Sequence, residues 1–149
     1  MIMKKLELTD GGRRVLVVAV DKGEDAVTAI HDTAAQYDIR GARITAVGGF
    51  HSAEVGYFDR QARDYVHIPV AEQVEVLSLL GDIADNQGQP ALHVHAVLGR
   101  RDGSTVGGHL LRGEVWPTLE VIITEVAAEL TKQVDPETGL ALLSGAARQ

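Results

Sequence analysis

The chain has 149 residues, the size of one domain, and 45% of them are hydrophobic, which excludes extensive disorder. It contains no cysteine, which excludes disulfides, thiolate nucleophiles and Cys-based zinc sites. A formal net charge of −7 gives no general electrostatic pull toward nucleic-acid phosphates.

The first residues, MIMKKLELTDGG, show no apolar signal-type core, and the longest apolar stretches are strand-length. A cytoplasmic protein without a membrane span is therefore expected. Arg13 to Val20 (RRVLVVAV) is a β-branched run bounded by Gly11-Gly12 and Asp21 and reads as a buried strand. Asp25 to Tyr37 places Val27, Ile30, Ala34 and Tyr37 at helical spacing behind an acidic start, and Asp38 and Gly41 mark its end.

Beyond that helix the pattern has period two. Ala42 to Gly48, Ala53 to Phe58, Arg63 to Val70 and Val74 to Leu80 read as strands, the last with some helical character. A polar break, DIADNQGQP, follows. Ala91 to Leu98 and Val106 to Val115 then flank RRDGST, where Asp102-Gly103 supplies hairpin chemistry, and Thr118 to Val126 closes the series. One helix followed by strands with short connections predicts an α+β domain with a mainly antiparallel sheet. It should form a single domain over residues 1–149, with a core from about 13 to 129 and a loosely packed tail from 130 to 149, marked by Pro136 and Gly139.

Three of the six histidines fall within residues 92–110, LHVHAVLGRRDGSTVGGHL. His93 and His95 project from one face of a strand. A loop with an odd number of residues centred on Asp102 sets His109 opposite His95, at roughly 4.5 to 5.5 Å. A two-residue turn at Asp102-Gly103 sends His109 to the other face instead. In the first register three neutral imidazoles suit zinc or another first-row divalent ion and leave a coordination position for water or a small ligand. The alternative, in either register, is that the H-x-H pair is just two partly exposed histidines. His51, after a double glycine, is the candidate for a fourth ligand, while His31 and His67 read as surface or packing residues.

Other chemistries have less support. No G-x-S-x-G surrounds Ser52, Ser78 or Ser104, and neither a phosphate loop nor a G-x-G-x-x-G turn occurs. Glu54, Asp59, Glu72 and Glu75 could serve as a general base but read by default as a solvated face. Arg100-Arg101 with Arg112 reads as a solvated hairpin tip rather than a basic patch. VGGFH at 47–51 echoes VGGHL at 106–110, which shared bulge geometry explains better than duplication.

In order, GARITAVGGF, EVGYFD, EVLSLLGDI, LHVHAVLGRRDGSTVGGHLL and PTLEVIITE resemble the PPC domain, conserved between plants and prokaryotes, from about Arg13 to about Glu129. The resemblance implies a curved antiparallel sheet with a packed helix, assembly as a homotrimer, and a divalent metal, zinc first, on His93, His95 and His109. Glu75 and Arg112 are candidates for its outer shell, and a small anionic ligand for its open position. The same resemblance implies, as the alternative, a DNA-binding or transcription-associated regulator, because the plant domain follows an AT-hook. A metal-free structural trimer is the third reading. This chain has no R-G-R-P hook, and where the plant domain has G-R-F it has Glu72, Gln73 and Val74.

Overall fold

The computed structural model describes residues 4–127 and 129–144. β1 (Lys4–Asp10) and β2 (Arg13–Asp21) form an antiparallel hairpin around Gly11-Gly12. Both turn glycines have positive φ, 58° and 81°, the twist that a two-residue hairpin requires. Helix α1 (Ala26–Gln36) begins at Asp25, whose carboxylate accepts hydrogen bonds from the Thr28 backbone N–H and hydroxyl. The other carboxylate oxygen accepts from the Gly113 N–H, so the same residue caps the helix and ties it to the sheet. Ala26, Ala29, Ile30, Thr33 and Ala34 form the buried face, and four of these five residues are small enough to let the helix lie close to the strands.

The remaining strands are β3 (Gly41–Asp59), β4 (Asp64–Val70), β5 (Val74–Asn86), β6 (Gln89–Gly99), β7 (Thr105–Glu125), β8 (Thr131–Val134) and β9 (Ala141–Ser144). Several differ from the sequence expectation. The first strand was not expected, because KKLELTD alternates too weakly to stand out from a polar lead-in. Ala42–Gly48 and Ala53–Phe58 are two halves of β3, which passes through the double glycine by register shifts. Gly48 sits there at φ 152°, and a Cβ on it would collide with the Thr118 carbonyl oxygen. Val106–Val115 and Thr118–Val126 are likewise one strand, β7. The polar break is mostly strand as well: β5 runs to Asn86, and Gln87-Gly88, both with positive φ, turn directly into β6. Residues 131–144 form the β8–β9 hairpin. Its turn contains Pro136 and Gly139, the residues that marked a loose tail in the sequence.

With one helix of 11 residues against nine strands among the described residues, the α+β expectation is met in kind, but the balance lies far toward sheet. Among the described residues pairing is antiparallel except where Asp85 on β5 meets Thr131 on β8 in parallel, which makes the sheet mixed. β6 pairs with both β5 and β7, and β5 and β7 each pair with β3, so four strands close a circuit. The face that meets the helix carries Leu16, Ile44, Leu79, Ile83, Leu98, Leu119 and Ile123, all nearly inaccessible to solvent. Each such side chain contributes about 1.5–3 kcal/mol by burial.

The opposite face is also apolar over much of its width. One register row runs Leu6, Val17, Ile122, Thr45, Leu80, His95 across six strands. Leu80 is 58% exposed, and Val47, Leu77 and Ile122 add further uncovered apolar surface. Among the described residues no helix is long and apolar enough to cross a membrane.

Candidate metal centre

The β6–β7 hairpin determines where the histidines go. Gly99 pairs with Thr105, which leaves a five-residue loop centred on Asp102. Asp102 closes it by accepting from the Ser104 N–H at 2.9 Å and the Ser104 hydroxyl at 2.6 Å, and Gly103 takes φ 84°. An odd loop gives the first of the two registers, so His95 faces His109 directly.

Glycines then bring the neighbouring strands close. A Cβ on Gly107 would lie 2.8 Å from the Ala96 carbonyl oxygen, and one on Gly108 would lie 2.5 Å from that of Gly56. β7 therefore presses against β6 on one side and β3 on the other immediately before His109. On β5, Gly81 similarly admits the His93 carbonyl oxygen. Gly56 leaves the space beside His109 open, and the Tyr65 ring occupies it, with its centroid 4.8 Å from that of the imidazole.

His93, His95 and His109 form one cluster, with one ring nitrogen of each lying within 4.8 Å of the others. The Nε2 atoms of His93 and His95 are 3.1 Å apart. Ligands of a tetrahedral first-row ion lie about 3.3 Å from one another, so small side-chain movements complete a three-nitrogen site. His109 Nδ1 is buried without a hydrogen-bond partner. Burial, followed by the charges of His93, His95 and Lys132, pushes the His109 pKa down to about 4. His93 is also lowered, by burial first and then by His95 and Lys132, against a smaller raising effect from Asp82. Neutral imidazoles are the form that binds metal. The donor set, the orphaned nitrogen and the electrostatics all fit a divalent ion.

The other sequence candidates lie elsewhere. His51 is exposed on β3 and does not join the cluster, and His31 bonds its neighbour Asp32. His67 lies on the same face of the sheet, across Gly56 from His109, with Nδ1 at hydrogen-bond distance from Glu54. Glu75 pairs with Gly99, four residues along β6 from His95, and borders a groove with Glu72, Gln73, Arg100 and Arg101, so it is not part of the outer shell. Arg112 pairs with Glu54 and donates to Ser52 Oγ at 3.3 Å. Arg100 is held by Glu72 at 3.2 Å, so the three arginines do not gather into a patch.

The actual surroundings include two residues that sequence reasoning missed. Asp82 pairs with His93 across β5 and β6, and Lys132 reaches Asp82 from β8 at 3.5 Å. Continuing period two through DIADN would have found Asp82. No local signal identifies Lys132, which arrives through a tertiary contact.

Similar folds occur in solved structures. A metal-containing protein from Archaeoglobus fulgidus is 30% identical, with TM-score 0.82 over 97% of this chain and 99% of that one. A plant- and prokaryote-conserved protein from Pyrococcus horikoshii is 28% identical, with TM-score 0.83 over 95% and 100%. A protein from Bacteroides thetaiotaomicron with a provisional DNA-binding name is 22% identical, with TM-score 0.86 over 94% and 96%, a likeness of fold alone. No curated protein matches the chain. Residues 8–127 match the Plants and Prokaryotes Conserved domain, and the chain belongs to that family.

Proposed function

We propose that this protein binds a divalent first-row metal, zinc first among them, through His93, His95 and His109, as a cytoplasmic homotrimer. The observation that carries the reading is the convergence of three imidazoles around the buried, unpartnered Nδ1 of His109. The metal-containing name of the Archaeoglobus fulgidus protein supports it. Three protein ligands leave a position for water or a small anionic ligand, where a metal would supply Lewis acidity.

The trimer follows from the family resemblance, and the exposed apolar face supports self-association. Leu80 on that face pairs directly with His95, so association would place the metal centre at the rim of a subunit boundary. A DNA-binding role would need a basic surface, whereas the chain carries −7 and its hairpin arginines are engaged or dispersed.

Metal content by mass spectrometry on tag-free protein, beside His93→Ala and His109→Ala, tests the reading. Near-stoichiometric zinc, lost in both variants, is expected. Wild-type protein that neither contains zinc nor takes it up would end the metal reading. Salt-sensitive DNA binding by such protein would favour the alternative.

A further inference from the structure

The C-terminal hairpin places a cation beside the histidines. Lys132 is on β8, next to the single parallel pairing of Thr131 with Asp85, and its side chain is only 4% accessible. An ammonium has three N–H donors. Among the described residues the Lys132 ammonium has one hydrogen-bond partner, Asp82, at the long distance of 3.5 Å. Asp82 in turn pairs in register with His93. A buried charge with so little compensation is costly unless another acceptor meets it.

Lys132 reaches Asp82, the register partner of His93, so its positive charge lies one side chain from the cluster. Three neutral imidazoles contribute no charge toward a divalent ion, and Asp82, at 3.5 Å, only weakly engages the Lys132 ammonium. With a metal bound, the centre would hold an uncompensated dication next to an ammonium with unused donors. Two positive groups side by side in a partly buried site select a ligand with two anionic oxygens.

We infer that Lys132 is the anion-selecting residue of this centre, and that the ligand is a small carboxylate with one oxygen on the metal and the other accepting from the Lys132 ammonium. The inference rests on the metal reading and extends it. Phosphate is the less suitable anion. Its larger charge calls for guanidinium or clustered backbone N–H donors, and the arginine of this register row, Arg43, lies on the far side of Asp82 from His93. The hairpin formed by residues 131–144 is therefore part of the binding site, supplying a group that the four-strand circuit lacks.

The test uses the full-length protein loaded with cobalt, whose visible absorption reports on ligands joining the metal. Metal per chain is measured first, and acetate and inorganic phosphate are then titrated. Wild-type protein should bind acetate with a clear spectral change. Lys132→Met, close in volume but uncharged, should keep its cobalt and bind acetate about tenfold more weakly. Asp82→Asn removes the competing carboxylate and should tighten acetate binding, an opposite-signed result that holds even if Lys132→Met fails to fold. Unchanged acetate affinity in Lys132→Met with full cobalt overturns the inference and leaves the metal site standing. Weaker acetate binding in Asp82→Asn also overturns it, as does tighter binding of phosphate than of acetate. Failure of wild-type protein to take up cobalt defeats the metal reading and this inference with it.

Discussion

Two sets of histidines share one face of the sheet, and their partners separate them. His67 and His109 lie in the same register row, on either side of Gly56. His67 is well exposed and has the Glu54 carboxylate as hydrogen-bond acceptor and counter-charge. His109 is half-buried, with two histidines, a tyrosine ring and a lysine around it and a buried, unpartnered Nδ1. The residue type is the same and the strands are neighbours, but the electrostatics differ. At His109, burial and nearby cations favour the neutral ring that a metal needs. H-x-H spacing alone does not make this distinction; the surroundings do.

The most disruptive way to break the contrast is Gly108→Ala. Its Cβ would lie 2.5 Å from a backbone oxygen of β3, so β7 must move away and take His109 with it. A loss of about 3 kcal/mol in urea unfolding is expected, together with reduced zinc per chain. Gly103→Ala is the control, since nothing lies within 4 Å there and the strain is confined to a positive φ. It should cost about 1 kcal/mol and leave zinc in place. Equal effects from the two variants would show that close strand approach is not what assembles the cluster.

The next effect is on pH dependence in metal-free protein. The folded pKa of His109, about 4, lies below the ordinary 6.5. Above 6.5 the group is neutral in both folded and unfolded chains and contributes no pH dependence. As pH falls through 6.5 the unfolded chain takes up a proton that the folded protein excludes, so stability declines until about pH 4, where the loss is complete. With allowance for partial solvent access, the loss is on the order of 2 kcal/mol. Denaturation midpoints between pH 4 and 7 should fall with acid in the wild type and flatten in His109→Gln. Parallel slopes would assign the acid sensitivity to another group.

How much of this was legible in the sequence follows from which interactions are local. The β6–β7 hairpin could be read because the Asp102-Gly103 turn and the odd loop fix the register within nineteen residues, although two registers remained open. Asp25 was readable as a helix start because capping chemistry lies within three residues. The long β3 and β7 were not, because a glycine pair normally interrupts a strand and here carries a bulge instead. Lys132 was invisible, since its partner Asp82 is 50 residues away. A polar tail offers no periodicity that would reveal a docking site.

The smallest expected effect sharpens the comparison most directly. His67→Gln keeps a hydrogen-bonding group beside Glu54 and removes the imidazole. If the cluster is defined by its own burial and cations, His67 contributes nothing to it: Gly56 separates the two strands' side chains, and the Tyr65 ring fills the intervening space. Zinc per chain should then match the wild type, and unfolding free energy should stay within about 0.5 kcal/mol, as for other exposed positions. A fall in zinc would mean that the site extends across Gly56. The Glu54–His67 pair would then belong to the metal's outer shell, as a carboxylate-oriented imidazole beside Tyr65.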